Sequence, residues 1–249
     1  MKLTILGSGT AVPVLNRNCA GYILEVDGMR LLFDSGAGTI RRLLELGIVL
    51  DEIEHVFYTH LHNDHINDLG GIIWSSNYGG TRKNDLNLYG PSGFRKFFRT
   101  LLKKLLRPTR LNFGINVKEL KNSVIKIGNI KINTCQTIHS STTRSIIYRV
   151  TYKNNAFVYT GDTDYCTEVV EAARNAHTLL TECSFPDSKK VEGHLTPSLA
   201  GRIAAQANVK QLVLSHFYPN VLKTDIRKRC GASFKGKLIL AKDKMNVSI

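Results

Sequence analysis

The sequence lacks paired cysteines and long apolar runs. Its five cysteines contain no Cys-x-x-Cys pair, and an odd number of widely spaced cysteines is atypical of a secreted disulfide scaffold. No apolar run approaches the roughly 20 residues that span a bilayer. The amino-terminal stretch MKLTILGSGTAVPV is interrupted by Gly7, Gly9 and Pro13, which makes it a poor signal peptide. We therefore expect a reduced, cytoplasmic protein without stable membrane insertion.

Acidic residues are also scarce. The 249 residues include 20 Asp and Glu against 34 Lys and Arg, a formal net charge of +14. Such an excess favours polyanionic partners such as nucleic acid, phosphorylated ligands or anionic lipid, although a lysine-rich proteome would produce it as well. With 43% hydrophobic and 22% charged residues, the composition is that of a globular protein and excludes collagen-like or disordered chains.

Strand-like and helix-like segments alternate along the chain. This alternation predicts a layered, mixed α/β fold in a single domain over residues 1–249. Apolar runs and turn residues predict strands over KLTIL, GYILEV, MRLLFD, HVFYT, LNLYG, SIIYRV, AFVYTG, TLLTE and QLVLSH, a hairpin over VIKIGNIKINT, and helices over 39–46, 94–106, 165–175 and 197–206. Pro108 is expected to stop the second of these helices.

A histidine-rich cluster directly follows the apolar run HVFYT. It reads His60-Leu61-His62-Asn63-Asp64-His65. Alternate residues at a strand end point the same way, so His60 and His62 can converge on one ion while Asp64 and His65 face another point. Imidazole and carboxylate ligands suit zinc, manganese or iron. The cluster therefore predicts a metal site.

THLHNDH resembles the signature of the metallo-β-lactamase superfamily of metallohydrolases. Three later segments match the rest of that pattern, since His139 follows INTCQTI, Asp162 lies in YTGDTD and His216 lies in LVLSHFYP. The early FDSGAG, with Asp34, also resembles the family's acidic turn. The resemblance covers nearly the whole chain and implies a four-layer αββα sandwich with the metals at strand-end loops along one edge.

The resemblance also implies a ligand set for two divalent ions, zinc in the first place. By this likeness one ion is held by His60, His62 and His139, the other by Asp64, His65 and His216, and both are bridged by Asp162. A shared carboxylate keeps two ions roughly 3.5–4 Å apart, which lowers the pKa of a bridging water and clamps a phosphoryl oxygen. Asp64 would also orient or deprotonate that water.

Two further stretches resemble the ribonuclease Z group within that superfamily. TECSF, ending at Phe185, and the later GHLT are similar to its acidic strand and its His-x-Thr loop. The likeness implies that His194 is the general acid at the leaving oxygen, that Glu182 holds it, and that Thr196 lies at the substrate. Alternatively, His194 is only a loop residue at the start of a helix, and Thr196 and Pro197 simply open that helix.

One departure from the ribonuclease Z pattern bears on the choice of substrate. Many bacterial ribonuclease Z enzymes that mature transfer RNA carry a long flexible arm between the third-motif histidine and the bridging aspartate. Here that interval, from His139 to Asp162, is SSTTRSIIYRVTYKNNAFVYTG, and two strands and a turn use all of it. The missing arm favours smaller or less structured phosphodiesters.

The segment FRKFFRTLLKKLLRPTR predicts an amphipathic, basic helix. The segment contains no acidic residue, and cations flank its apolar stripe. These cations are Arg95, Lys96, Arg99, Lys103, Lys104, Arg107 and Arg110. The stripe and charges fit three interpretations: a solvated basic face over a core helix, a phosphate-tracking surface that includes Lys103, Lys104 and Arg107, or a membrane-surface helix.

We therefore expect a metal-dependent hydrolase that acts on phosphodiesters of RNA 3′ ends, short oligonucleotides or cyclic nucleotides. The nearest alternative is a transfer RNA 3′ endonuclease in which the basic helix replaces the arm. The same ion pair would also support hydrolysis of a thioester, ester or lactone. A non-enzymatic RNA-binding module with a vestigial site is a fourth possibility, against which the complete ligand set argues. The resemblance also implies a homodimer.

Overall fold

The computed structural model describes residues 1–79, 82–107 and 110–249. Within this part of the chain the strands form two mixed seven-stranded sheets. The strands are β1 Lys2–Gly7, β2 Gly21–Val26, β3 Met29–Ser35, β4 His55–Phe57, β5 Leu86–Pro91, β6 Ile115–Leu120, β7 Ser123–Ile127, β8 Ile130–Thr137, β9 Ser145–Tyr152, β10 Asn155–Tyr159, β11 Thr178–Glu182, β12 Gln211–Ser215, β13 Lys237–Leu240 and β14 Asn246–Ser248.

The helices surround these sheets. They are α1 Thr39–Glu45, α2 Asn63–Ile66, α3 Leu69–Tyr78, α4 Phe94–Thr100, α5 Thr167–Ala173, α6 Pro197–Gln206 and α7 Ile226–Gly231. The chain continues from α4 through a wider π-type turn, Leu101–Leu106. None of the described helices has the length and apolar character needed to cross a bilayer.

The two sheets follow the same plan, an antiparallel half and a parallel half. The first has the order β14-β1-β2-β3-β4-β5-β6 and the second β13-β12-β11-β10-β9-β8-β7. Pairing is antiparallel from β14 to β3 and from β7 to β10, and parallel from β3 to β6 and from β10 to β13. Parallel strands share one carboxyl edge, where ligand sites of open α/β sheets lie.

Successive side chains of a strand point to opposite faces of the sheet, and the buried apolar residues therefore form two separate cores. In β3, Leu31 and Phe33 face the space between the sheets, whereas Leu32 faces α1, α3 and α4 on the outer side of the first sheet. The rings of Phe33 and Tyr148, one from each sheet, meet edge to face with centroids 5.5 Å apart and an interplanar angle of 65°. The helices α5 and α6 pack on the second sheet. The layers are those of the expected αββα sandwich.

Most predicted elements are confirmed within one to three residues at their ends. The helix predicted over 94–106 is confirmed, although its second half, Leu101–Leu106, is a wider π-type turn, and the expected stop at Pro108 lies outside the described residues. The strands β6, β13 and β14 and the helix α3 had no clear pattern in the sequence. Helix α3 begins Leu-Gly-Gly, and glycine is a poor helix former.

Candidate metal centre and catalytic residues

The seven predicted metal ligands come together at one edge of the sandwich. Each lies at or just beyond the carboxyl end of a strand or in a loop packed against such an end. His60 follows β4, His139 follows β8, Asp162 follows β10 and His216 follows β12. Asp64 and His65 lie in the short helix α2, and both side chains are buried.

His60, His62 and His139 form the first cluster. His62 Nδ1 lies 3.1 Å from Nε2 of His60 and 3.1 Å from Nε2 of His139. On the other side of its ring, His139 Nδ1 donates to the carbonyl oxygen of Gly193 at 2.9 Å. A neutral imidazole has one N–H, so Nε2 of His139 presents a lone pair to the cluster.

The same reasoning applies to His60. The Thr59 hydroxyl donates to Oδ2 of Asp34 at 2.9 Å, so its oxygen is free to accept the proton on Nδ1 of His60 at 3.0 Å. Nε2 of His60 then also points a lone pair inward. Such fixed outer partners are typical of imidazoles that bind a metal.

His65, His216 and Asp64 form the second cluster. His65 Nε2 lies 3.2 Å from Nε2 of His216, which lies 3.3 Å from Oδ2 of Asp64. The outer nitrogen of His65 faces Oδ2 of Asp34 at 2.8 Å. That of His216 faces the Ser184 hydroxyl at 3.0 Å, which in turn donates to the His216 carbonyl. Both rings therefore direct Nε2 inward.

Asp162 lies between the two clusters. Its Oδ2 is 3.9 Å from Nε2 of both His60 and His139, and its Oδ1 is 3.3 Å from Nε2 of His65. Asp162 is 3% exposed, and Oδ1 is buried without a hydrogen-bond partner. A buried acceptor without a donor is costly, and a cation between the clusters would satisfy it.

Buried carboxylates dominate the electrostatics at this point. Burial lowers the pKa of His65, but Asp162 and Asp34 outweigh burial and raise it well above the ordinary value. Burial raises the pKa of Asp162, but His216 and His65 outweigh it and hold that pKa well below its usual range. In each cluster the donor atoms lie within 4.8 Å of one another. The imidazole and carboxylate donors therefore fit borderline divalent ions such as zinc.

His194 and Glu182 are adjacent to this centre. His194 Nδ1 lies 3.0 Å from Oε1 of Glu182, whose two oxygens also accept the backbone N–H groups of Thr163 and Leu195. Burial lowers the pKa of His194, but the Glu182 carboxylate outweighs it, and the pKa rises to about 9. The His194 ring centroid is 4.9 Å from that of His139. The structure thus brings together the pair that the sequence pattern predicted.

Thr196 does not have the predicted position at the substrate. Its side chain is buried, and its hydroxyl oxygen accepts the N–H of Leu199 at 3.4 Å as the N-cap of α6, with Pro197 at the first helical position. A capping hydroxyl inside the protein is not available to a ligand, so the interpretation of Thr196 as a helix-opening residue is the correct one.

The basic segment presents a continuous charged face away from the core. Leu101 and Leu106 pack near Gly70 of α3, while the cations are exposed. They line a groove of about 390 Å³ together with Thr100 and Glu119, the cationic members being Arg95, Lys96, Arg99, Lys103 and Lys104. Arg107 is also exposed. Among the described residues no hydrogen bond or ion pair links this face to the metal clusters.

Three residues outside the predicted ligand set hold the ligands in place. Asp34 orients His65 and Thr59, Ser184 orients His216, and Gly193 supplies a carbonyl to His139. The acidic FDSGAG turn was a signal for Asp34. Ser184 and Gly193 carried no signal, because a hydroxyl or a backbone carbonyl becomes an orienting partner only through tertiary placement.

Comparisons with known proteins agree with this geometry. Residues 1–236 match a family model described as anti-Pycsar protein Apyc1. A ribonuclease Z of Methanothermobacter thermautotrophicus is 28% identical over 277 aligned positions, which cover 91% of this chain and 89% of the relative.

Two solved structures have nearly the same fold over their whole length. The metallo-β-lactamase fold protein YhfI of Bacillus subtilis has a TM-score of 0.86 at 25% identity, covering 99% of this chain and 98% of that one. The short form of human tRNase Z has a TM-score of 0.83 at 27% identity, covering 100% and 99%. With its converging imidazoles and carboxylates, the chain is a metal-dependent hydrolase of the metallo-β-lactamase fold, related to ribonuclease Z, and belongs to the anti-Pycsar protein Apyc1 family.

Proposed function

We propose that the protein hydrolyses phosphodiester bonds of RNA or of cyclic nucleotides with two divalent ions bound in the two clusters. The observation that carries this proposal is the direction of the donors. The outer nitrogens of His60, His65, His139 and His216 are each occupied by a hydrogen-bond partner, so that their inner nitrogens converge around Asp162. The relatives named ribonuclease Z support the phosphodiester as substrate.

A bound pair of divalent ions supplies an acidified water and stabilises negative charge on the phosphoryl oxygens. The residues of the chain orient the water and transfer the protons. Asp64 accepts the N–H of Ala11 on Oδ2, and Oδ1 has no protein donor among the described residues. We assign to Oδ1 the orientation of the attacking water and the acceptance of its proton.

His194 protonates the departing oxygen. Its Nδ1 is held by Glu182 at 3.0 Å, and we assign the proton transfer to its other nitrogen, Nε2. An alkoxide is a poor leaving group without a proton, and a positioned imidazolium provides one. Glu182 positions the ring and keeps it protonated, since its charge raises the pKa of His194 to about 9 against the effect of burial.

The connection between His139 and Asp162 supports compact substrates. Strands β9 and β10 and the turn between them occupy residues 145–159, and β9 pairs along its length with β8. This leaves only short loops on either side and no room for an RNA-gripping arm in this interval. Cyclic nucleotides and short oligonucleotides need no such arm.

Transfer RNA 3′ processing is the second candidate. It is favoured by the exposed cationic face over residues 94–107, in which Lys103, Lys104 and Arg107 have no ion-pair partner among the described residues. Cations on an exposed face contact phosphates without sequence preference. In this candidate that face takes over the binding role of the arm.

Zinc as the metal, a homodimer in solution and a cytoplasmic location are further parts of the proposal. The donor set of imidazoles and carboxylates is typical of zinc and also suits manganese or iron. Elemental analysis of the purified protein and light scattering test the first two.

The test of function is a parallel assay of metal-loaded protein on 2′,3′-cyclic nucleotides, 3′,5′-cyclic nucleotides, short RNA, precursor transfer RNA and a lactone. We expect turnover of the cyclic nucleotides or short RNA, lost with chelator and with Asp162→Asn. Efficient cleavage of precursor transfer RNA alone would favour the second candidate. Hydrolysis of the lactone alone would overturn the phosphodiesterase assignment.

A further inference from the structure

Two aromatic side chains that hydrolysis does not use lie beside the candidate centre. Phe185 follows β11 and Tyr218 follows His216 by two residues. Their rings are stacked, with centroids 4.7 Å apart and planes 20° apart. Both side chains are only partly buried, whereas the core aromatics Phe33 and Phe57 are 0% exposed.

The pair is adjacent to the general acid. The Phe185 ring is 5.3 Å from that of His194 at an angle of 70°, and the Tyr218 ring is 6.3 Å from His194 and 5.9 Å from His216. The stacked rings therefore border the side of the site from which the protonated oxygen leaves. The Tyr218 hydroxyl has no hydrogen-bond partner among the described residues, so the ring is not fixed in place by its polar end.

A ligand that is flat, apolar on its faces and attached to a phosphate would cover this pair of rings. Partly exposed aromatic rings at the mouth of a site keep apolar area in water that a ligand can cover. A nucleobase has a π-face whatever its identity, and bases extend existing aromatic stacks. In a nucleotide phosphodiester the sugar joins the base to the phosphorus, so a phosphate at the metal centre places its base within reach of adjacent rings.

We propose that Phe185 and Tyr218 form a nucleobase-stacking subsite that selects nucleotide phosphodiesters over phosphodiesters without a base. This inference rests on the proposed function, because it assumes that the phosphate is bound between the metal clusters. Stacking is tolerant of base identity, so the subsite distinguishes a nucleotide from a base-free ester and not one base from another.

Binding tests the subsite without turnover. Calorimetry on the zinc-loaded protein compares adenosine 5′-monophosphate with ribose 5-phosphate, which lacks the base. We expect the nucleotide to bind about 5- to 150-fold more tightly, the range that one stacked base provides. In Tyr218→Leu and in Phe185→Leu the ratio should fall several-fold, while Tyr218→Phe should keep it. Tyr78→Leu, which removes an exposed tyrosine on α3, is the matched control and should also keep it.

Turnover separates the subsite from a merely structural role. The substrates are 3′,5′-cyclic AMP and the methyl riboside 3′,5′-cyclic phosphate, which share the scissile bond and leaving group and differ only in the base. Loss of stacking lowers the ratio of kcat/KM between the two, mainly through KM for the nucleotide. A disturbed His194 would lower kcat for both substrates and leave the ratio unchanged.

The outcomes also separate this inference from the proposed function. An unchanged nucleotide-to-ribose-phosphate binding ratio in both leucine variants overturns the stacking subsite, whatever the enzyme hydrolyses. A ratio that collapses in the leucine variants, with no hydrolysis of either cyclic ester by the wild type, supports the subsite and overturns the phosphodiesterase assignment on these substrates.

Discussion

Oδ2 of Asp34 lies 2.8 Å from Nδ1 of His65, and both side chains are fully buried. The same carboxylate accepts hydrogen bonds from the Thr59 backbone and hydroxyl and from the Tyr159 hydroxyl. Asp34 adopts a positive φ of 53°, a conformation that non-glycine residues rarely hold. The surrounding hydrogen bonds thus maintain a strained residue in order to fix one imidazole.

Asp34→Asn should weaken metal binding about 10- to 100-fold. An amide has an NH2 group in place of one oxygen, so it can no longer accept from His65, Thr59 and Tyr159 together. Competition with a fluorescent chelator measures the affinity. Asp27→Asn is the matched control, since Asp27 also has a positive φ, of 52°, and accepts a tyrosine hydroxyl, that of Tyr152, at 2.6 Å. Equal metal affinity of Asp34→Asn and wild type would contradict the assigned role.

His194→Ala should slow hydrolysis of phosphodiesters with alkoxide leaving groups about 10²- to 10⁴-fold, the range of general-acid catalysis. The loss on bis-p-nitrophenyl phosphate should be far smaller, because nitrophenolate leaves without a proton. Rates on both substrates under saturating metal give the comparison. Equal losses on the two would remove the general-acid role of His194.

Gly193→Ala should disturb His139. A Cβ at Gly193 would lie 1.9 Å from the carbonyl oxygen of His139, and its φ of +80° disfavours any side chain. We expect lower metal affinity and a loss of stability of more than about 1–2 kcal/mol, since the clash adds to the cost of the backbone conformation. Gly28→Ala separates the two effects, because Gly28 has a φ of +76° with open space around it. If both variants behave alike in chelator competition and thermal unfolding, the crowding around His139 is irrelevant.

Reversing charge at Lys103 and Lys104 should raise KM for RNA and leave a small chromogenic ester unaffected. Removing about two phosphate contacts should also reduce the salt dependence of RNA binding, by a slope of roughly 0.7 per contact for single strands. The control variant Lys126→Glu/Lys131→Glu has the same change of net charge on a hairpin of the second sheet, where these exposed lysines are cross-strand partners. Unchanged RNA kinetics in Lys103→Glu/Lys104→Glu would leave the basic face as a solvated surface.

Chelation should lower the melting temperature. Ions that bind only the folded protein stabilise it by about 2.7 kcal/mol at 100 times Kd, which corresponds to roughly 5–10 °C for a chain of this size. Differential scanning calorimetry with and without chelator, followed by zinc addition, measures the shift. Asp162→Asn should show a smaller shift than wild type. A melting temperature that is insensitive to chelator would contradict metal binding at these clusters.

Much of the fold could be predicted from the sequence because its strands alternate or run apolar within a few residues. The segments KLTIL, GYILEV and MRLLFD each carry enough local pattern to predict a strand. Asp27-Gly28 predicts the turn between the last two of them. By contrast, β14 exists only because Asn246–Ser248 pairs with β1 at the other end of the chain. The π-type turn after Thr100 likewise has no signal in the amphipathic stripe, which is compatible with a regular helix.

The candidate site, too, could be predicted only in part from the sequence. Residue types and their spacing indicated the ligand candidates within His60–His65, because three imidazoles and a carboxylate there have few other uses, and a strand end is enough to hold them in a loop. The later candidates His139, Asp162 and His216 came from the family resemblance. Only the tertiary structure decided which nitrogen of each ring faces inward, that Thr196 caps a helix, and that Phe185 and Tyr218 stack beside His194. Hydrogen-bond direction and burial are properties of neighbours in space, and here those neighbours come from segments as far apart in the chain as Asp34, Ser184 and His216.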